Sequence, residues 1–168
     1  MTTPRRILGI DPGLGITGYG VVEYAAPRPI LCEAGIIRTA DDNASDMAAK
    51  VLSVYKGVVE VIAQFKPEAM AVEQLYAHYD HPRTAILMGH ARGVIFLAAA
   101  QAGIPVVSYA STQVKKLVTG NGRASKEQVQ RTIQQEFGMA QLPEPPDVAD
   151  ALAVALCHYY QNKLQAQG

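Results

Sequence analysis

Several features that mark other protein classes are missing from this sequence. It holds only two cysteines, Cys32 and Cys157, and their spacing fits neither a disulfide framework nor a zinc motif. A reducing, cytoplasmic compartment is therefore expected. The longest apolar stretch, residues 94–100, is too short to span a bilayer, so no membrane association is expected. The 15 basic and 15 acidic side chains cancel, which excludes a basic surface spread over the whole chain.

What the sequence does contain is typical of one globular domain. Of its 168 residues, 49% are hydrophobic and 18% are charged, which is enough apolar material for a sizeable core. The chain shows no internal repeat and no low-complexity tract. We therefore expect a single domain over residues 1–168, with residues 161–168 as a frayed C-terminal tail.

The start of the chain favours three strands that pair as an antiparallel meander. Residues 6–10 form a short apolar run, and residues 17–24 are rich in β-branched and aromatic side chains. Residues 30–38 follow a proline-rich turn and make a third candidate strand. The short separations between these segments leave room only for tight connections, which indicates antiparallel neighbours.

The rest of the chain alternates between helices and strands. An amphipathic helix is predicted over residues 45–65, capped by Ser45. A strand at 69–72, an apolar helix at 84–102 and a strand at 104–109 predict parallel pairing. The expected fold is thus α/β, with a mixed five-stranded sheet of three antiparallel strands and then parallel strands, flanked by helices. Three further helices are predicted to begin near residues 111, 125 and 147.

Four acidic residues stand where elements of such a fold begin or end. Asp11 and Glu73 each follow an apolar strand, and sites gather at strand ends in these sheets. Asp147 and Asp150 are three residues apart at the start of the last helix, so they share one face. If all four converge, a pair of hard divalent cations would offset their repulsion. Taken singly, each acid also fits a turn or a helix N-terminus without a catalytic role.

Five sequence blocks together form a specific pattern along the chain. They are GIDPGLGITGYG, AVEQLY, GHARGV, QVKKLVTGNGRASKEQV and DVADALAVALCH. In this order they resemble the RuvC family of Holliday junction resolvases, over roughly residues 6–160. The resemblance implies an RNase H-like fold and a homodimer that cuts four-way DNA junctions by symmetric nicks in two opposing strands. It also implies work beside the branch-migration proteins RuvA and RuvB in a bacterial cytoplasm.

The resemblance gives the acidic residues a shared role. It implies that Asp11, Glu73, Asp147 and Asp150 are the catalytic residues and the ligands of two divalent cations per subunit, Mg²⁺ or Mn²⁺. In the family the first acid of the last motif is sometimes histidine, whereas here it is Asp147, so an all-carboxylate site is implied. The implied reaction is hydrolysis of a phosphodiester that leaves a 5′-phosphate and a 3′-hydroxyl.

Glycines surround the first acid. Gly13, Gly15 and Gly18 keep side chains away from Asp11, so a phosphate backbone could approach it closely. The same glycines also fit a plain structural role in a turn and a strand kink. Both interpretations are kept at this point.

A local basic cluster lies between residues 111 and 131, where Glu127 is the only opposing charge. Such a cluster supplies phosphate contacts without reading sequence, although any single lysine also fits a solvated helix face. The resemblance singles out Lys115 and Lys126 as DNA contacts, with Lys116 and Arg123 as further candidates. The fifth basic residue is Arg131.

An aromatic residue, Tyr76, follows Glu73 by three positions. Composition alone favours a core position for it, whereas the resemblance implies that it stacks on an unpaired base near the crossover. The loop at 78–83 departs from the family, because His81-Pro82 stands where an asparagine is common. How this loop meets DNA, and therefore the preferred cleavage sequence, stays open.

The helix predicted over residues 84–102 is apolar nearly all round. It fits either a position inside the core or a position against a second copy of the chain. Gly89 and Gly93, one turn apart, would let another helix approach closely. The resemblance favours a two-fold dimer interface on this helix, which suits a roughly two-fold junction.

Three other functions fit parts of the pattern. An RNase H-like nuclease acting on another nucleic acid would share the first block. A nonenzymatic junction-binding protein would need the lysines and Tyr76 but none of the four acids. A nucleotide-binding ATPase fragment, of the kind found in sugar kinases and actin-like proteins, would need a second phosphate loop, and the sequence has none.

Overall fold

The computed structural model describes residues 3–39, 46–75 and 81–167. Its five strands form one sheet in the order β3-β2-β1-β4-β5. The strands are β1 Arg6–Asp11, β2 Ile16–Glu23, β3 Ile30–Arg38, β4 Ala69–Glu73 and β5 Val106–Tyr109. The helices are α1 Met47–Phe65, α2 Pro82–Gln101, α3 Ser111–Thr119, α4 Lys126–Glu136 and α5 Pro146–Gln167.

Pairing in the sheet changes from antiparallel to parallel at β1. Strand β1 pairs antiparallel with β2, and β2 pairs antiparallel with β3. On its other side β1 pairs parallel with β4, which pairs parallel with β5. The predicted mixed sheet is therefore confirmed, including its element order. Helix α5 continues to Gln167, through most of the segment for which fraying is predicted.

Successive residues of the central strands face opposite helical layers, as the alternation of strand side chains requires. Leu8 and Ile10 pack on one side with α1 and α2, in a cluster that includes Val58 and Ile95. Ile7 packs on the other side with α5, where Leu152 is fully buried. The core thus has two layers, and the sheet separates them.

Local signals set the beginnings of two helices. Asp46 caps α1, because its Oδ1 accepts a hydrogen bond from Ala49 N at 3.0 Å. The predicted cap, Ser45, lies outside the described residues. Ser125 and Gln128 form the predicted capping box of α4: Ser125 Oγ accepts from Gln128 N at 3.2 Å, and Gln128 Oε1 accepts from Ser125 N at 2.8 Å.

Helix α2 is half in the core and half exposed. Among the described helices it alone is long and apolar enough to cross a membrane by length and composition, with 22% of its apolar window buried. Ile95, Ala98 and Ala99 belong to the cluster that α2 shares with α1 and the sheet, and Ala91 is also buried. On the other side Ile86 is 62% exposed and Leu97 is 48% exposed. Only one face of α2 is thus used by the fold that the structure describes.

Helix α5 lies unusually close to the sheet. A Cβ atom on Gly9 would stand 2.0 Å from the carbonyl oxygen of Ala151, and one on Gly20 would stand 2.4 Å from the Leu152 side chain. Side chains at these two strand positions would push the helix away. The glycines of β1 and β2 therefore let the backbone of α5 rest directly on the strands.

A partly buried chain of hydrogen bonds ties the second half of α5 to the sheet. His158 Nδ1 shares a hydrogen bond of 2.6 Å with Tyr109 Oη, and its Nε2 lies 2.9 Å from Asn162 Nδ2. Asn162 Nδ2 also donates to Tyr24 Oη at 2.9 Å. Burial lowers the pKa of His158, so the imidazole is held neutral between these partners.

Candidate active site

The strand-end acids meet at one edge of the sheet. Strands β1 and β4 are parallel neighbours in which Ile10 pairs with Val72, so the next residues, Asp11 and Glu73, end side by side. Ile10 and Val72 both face α1 and α2. Because side chains alternate along a strand, Asp11 and Glu73 both belong to the face covered by α5.

Helix α5 brings the second pair of acids to the same place. It begins at Pro146, where the missing N–H of proline is tolerated; Asp147 lies in its first turn and Asp150 follows one turn later on the same face. Gly18 is the cross-strand partner of Asp11. A Cβ atom on Gly18 would stand only 2.2 Å from the carbonyl oxygen of Asp147, so the start of α5 is pressed against β2 beside Asp11.

The proximity of these acids perturbs their ionisation. Burial, followed by the charges of Asp150 and Asp147, raises the pKa of Asp11 to about 8. Asp147, which lies close to Asp11, and the charge of Glu73 act in the same direction. Burial and the charge of Glu73 raise the pKa of Asp150 to about 6. All four predicted acids are therefore electrostatically coupled at one site.

The donor chemistry of this site fits divalent cations bound with help from substrate. Among the described residues, no three acidic, histidine or cysteine side chains are arranged as a ready-made metal cage. Magnesium ions are commonly held by one or two carboxylates, with water and substrate phosphate oxygens completing the coordination. Pairs of repelling carboxylates such as Asp11 and Asp147 suit that mode, since a cation between them relieves their repulsion.

A cavity of about 400 Å³ opens beside the acids. It lies between the ends of β1 and β4 on one side and helix α2 on the other. The space is large enough for a phosphodiester to reach the carboxylates. Its lining includes Asp11, Pro12, Glu73, Met88, Arg92 and Ser111.

Two of the predicted lysines lie close enough to influence the acids. The charges of Lys126 and Lys115 both lower the pKa of Asp150, against the effect of burial. Lys116 and Arg123 are exposed, on α3 and in the loop before α4. Arg131 is paired with Glu127 at 2.6 Å on the surface of α4, so its charge is partly offset.

The aromatic candidate, Tyr76, lies outside the described residues, as does the first part of the 78–83 loop. The end of that loop is described. His81 occupies the N-cap position of α2 without a capping hydrogen bond from its side chain, and Pro82 is the first helical residue. Arg83 is exposed one position further on.

The glycines near Asp11 do not all leave space for a ligand. A Cβ atom on Gly13 would stand 2.2 Å from the carbonyl oxygen of Ile16, and the space beside Gly18 is filled by α5. Only at Gly15 is nothing found within 4 Å of such an atom. Two of these three glycines thus serve the packing of the chain itself, and the third, Gly15, borders open space.

Sequence reasoning missed two residues that shape the site. Thr17 is buried and closes the turn after Asp11: its Oγ1 donates to Gly13 O at 2.7 Å and accepts from Gly13 N at 3.2 Å. Arg92 reaches from α2 to the backbone carbonyl of Glu73 at 2.5 Å. The available signal for Arg92 was a lone arginine in the middle of an otherwise apolar helix.

Comparison with known proteins covers most of the chain. A family model described as crossover junction endodeoxyribonuclease RuvC matches residues 7–158. A protein of that description from Rhodopirellula baltica is 52% identical over 157 residues, which is 93% of this chain and 87% of that protein. Another from Desulforamulus reducens is 45% identical over 152 residues, covering 90% and 91% of the two chains.

A solved structure shows the same fold with a ligand. The structure described as T. thermophilus RuvC in complex with Holliday junction substrate matches with a TM-score of 0.87 and 33% sequence identity. The match covers 96% of each chain. The RNase H-like architecture expected from the sequence is thereby confirmed.

Proposed function

The chain belongs to the RuvC family of crossover junction endodeoxyribonucleases, and on that basis we propose that it resolves four-way DNA junctions by cutting opposing strands. The observation that carries this proposal is the convergence of four electrostatically coupled carboxylates, two of which, Asp11 and Glu73, line an open cavity. Junction binding, phosphodiester hydrolysis and a part in recombination and repair follow from family membership. The solved relative was captured with a Holliday junction substrate.

The four acids are proposed as the catalytic, metal-binding residues. Asp11, Glu73, Asp147 and Asp150 would hold two divalent cations, Mg²⁺ or Mn²⁺. Two such ions supply an acidified water as nucleophile and stabilise charge on the departing 3′ oxygen. The carboxylates would fix the positions of the ions beside the cavity, and the products would carry a 5′-phosphate and a 3′-hydroxyl.

The lysines near the acids are proposed as phosphate contacts. Lys115 and Lys126 offset the negative charge of the acidic site and would hold the backbone of the cut strand in register. Lys116 and Arg123 would add contacts further out on the same surface. Tyr76 is proposed to stack on an unpaired base near the crossover, which contributes about 1–3 kcal/mol per base.

The exposed face of α2 is proposed as the homodimer interface. Ile86 and Leu97 are largely exposed there. Cβ atoms on Gly89 and Gly93 would meet nothing within 4 Å, so a second helix has room to approach. Symmetry would then place two sites on matching strands of a junction. RuvA and RuvB are proposed as partners, and the cytoplasm of a bacterium as the location.

The experiment that tests this function compares cleavage of a synthetic four-way junction by the wild type and by Asp11→Asn, with Mg²⁺, with Mn²⁺ and with chelator. Metal stabilisation of the transition state amounts to several kcal/mol, so we expect Asp11→Asn to cut about a thousandfold more slowly. It should still bind the junction, because the lysines are intact.

Each alternative function has its own outcome in this experiment. A wild type that binds the junction but never cuts it would indicate a nonenzymatic junction-binding protein. Equal cleavage of a junction and of a matched linear duplex or RNA would indicate an RNase H-like nuclease with another substrate. Ligation of the products tests the proposed end chemistry.

A further inference from the structure

Arg92 is a cation in an apolar setting. After Arg83 it is the only arginine, lysine or acidic residue in α2, and it is half-buried. Its guanidinium lies over the ring of Phe96, 5.1 Å from the centroid. Burial lowers the pKa of Arg92, while the charge of Glu73 acts in the opposite direction. A guanidinium nevertheless stays charged in proteins, and a partly buried charge is unfavourable unless it is hydrogen-bonded. Arg92 is therefore expected to have a specific partner.

That partner is the backbone of a site residue. Arg92 Nη1 donates to the carbonyl oxygen of Glu73 at 2.5 Å, and this is its only hydrogen bond within the described residues. Arg92 also lines the cavity that Asp11 and Glu73 line. The guanidinium therefore joins helix α2 to the strand end that carries an acid of the site.

The end of β4 has support on one side only. Towards β5 the pairing continues, since Glu73 pairs with Tyr109 and Gln74 N donates to Tyr109 O at 2.8 Å. Towards β1 the register stops at Val72. Glu73 is thus paired with β5 but not with β1, and the hydrogen bond from Arg92 adds a second contact to its backbone.

We propose that Arg92 is a positioning residue for the cation site, and that it acts by fixing the backbone of Glu73 so that the carboxylate of Glu73 meets Asp11 and the bound ions. This inference rests on the proposed function, since it assumes that Glu73 is a metal ligand. Groups that orient metal ligands commonly account for a 10- to 100-fold effect on metal affinity or activity.

The test measures Mn²⁺ binding to the purified protein without DNA, by electron paramagnetic resonance, for the wild type, Arg92→Gln and Arg92→Lys. Arg28→Gln, an exposed arginine in the β2–β3 turn, is the charge-matched control. We expect Arg92→Gln to weaken Mn²⁺ binding by about 10- to 100-fold. Arg92→Lys should lie between it and the wild type, because lysine keeps a charge and a donor but not the planar fork.

Junction affinity in chelator and the metal concentration at half-maximal cleavage complete the test. Unchanged junction affinity together with a raised metal requirement supports the positioning role. Weaker junction binding with unchanged Mn²⁺ affinity would overturn it and make Arg92 a direct phosphate contact. A lower melting temperature with unchanged Mn²⁺ affinity would overturn it in favour of a purely structural role.

The outcomes separate this inference from the proposed function. A wild type that fails to cut junctions would contradict the proposed function. Mn²⁺ binding is measured without DNA, so the difference in Mn²⁺ affinity between the wild type and the Arg92 variants would still test the positioning role. If Arg92→Gln does not fold, the comparison of Arg92→Lys with the wild type decides the matter.

Discussion

The two faces of the sheet are covered in different ways. On one face, α5 rests with its backbone against glycines of β1 and β2, and Asp147 O lies where a Cβ atom of Gly18 would stand. On the other face, α1 and α2 are separated from the sheet by side chains such as Val58 and Ile95. Backbone contacts tolerate no added atom, whereas side-chain packing can adjust. The face with the more rigid contact is the one that carries the acids.

The strongest way to break this comparison is to add one methyl group at Gly18. In Gly18→Ala the new carbon meets Asp147 O, so the start of α5 must shift and the two helical acids move with it. A displacement of about 1 Å can cost about 100-fold in rate, and we expect a loss of that size in junction cleavage.

Two matched variants show whether that loss is specific. Gly15→Ala places the same group in open space a few residues away, so α5 need not move and any loss of cleavage should be smaller than in Gly18→Ala. Val58→Ala, on the opposite face, should cost about 2 kcal/mol of stability from lost burial and the cavity left behind. It should still cut normally at temperatures where it is folded. Equal activity of Gly18→Ala and Gly15→Ala would mean that α5 is not held by this contact.

A charge placed on the exposed side of α2 tests whether this side binds a second copy of the chain. Leu97→Glu places a carboxylate on an apolar surface that is proposed to bind a second copy, and burying that charge is unfavourable. We expect the dimer dissociation constant, measured by sedimentation, to rise at least about tenfold. Ile30→Glu is the control, because Ile30 is also an exposed apolar residue, at 53%, but lies on β3. Similar weakening in both variants would argue against an interface on α2.

The smallest expected effect is a pH dependence of stability, which arises from Asp11 on the face covered by α5. The pKa of Asp11 is raised from 3.8 to about 8, so the folded protein binds a proton that the unfolded chain has already lost in that range. In chelator, this contribution is fully present below about pH 4 and is lost as the pH rises towards 8. We expect the melting temperature to fall by at least about 2–4 °C over that range, the shift that 1 kcal/mol causes in a chain of this size.

Asp11→Asn should flatten that pH dependence, because its amide does not titrate. Divalent cations should also reduce it by binding the ionised form. The melting temperatures of both proteins are compared in chelator at pH 5 and at pH 8. An equal change in the wild type and in Asp11→Asn would contradict the prediction.

Much of the fold follows from local patterns in the sequence. Strand and helix order were readable because apolar periodicity is strong and because Pro67 and the glycines interrupt it clearly. Boundaries were less accurate: α2 begins at Pro82 instead of 84, and β5 begins at Val106 instead of 104. Proline at the first turn of a helix is favourable, which explains the earlier start of α2.

The site was readable only in part. Asp11 and Glu73 could be picked out as candidates because each directly follows an apolar run, a pattern that is recognisable in the sequence alone. The role of Gly18 could not, since the atom that fills the space beside it belongs to Asp147, far along the chain. The contact of Arg92 could not be predicted for a similar reason. Its partner is a backbone carbonyl, which every residue has, so the sequence does not indicate which residue it binds.

The crowding of Asp11 by the two acids of α5 has a consequence for how the protein exchanges ions with its surroundings. Near neutral pH the acidic cluster retains a proton, and under the proposed function a divalent cation would have to displace it. Loading the site is then an exchange of one kind of positive charge for another. Acidification and magnesium depletion would act on this protein in the same direction, and each cation taken up near pH 7 would release acid into the buffer.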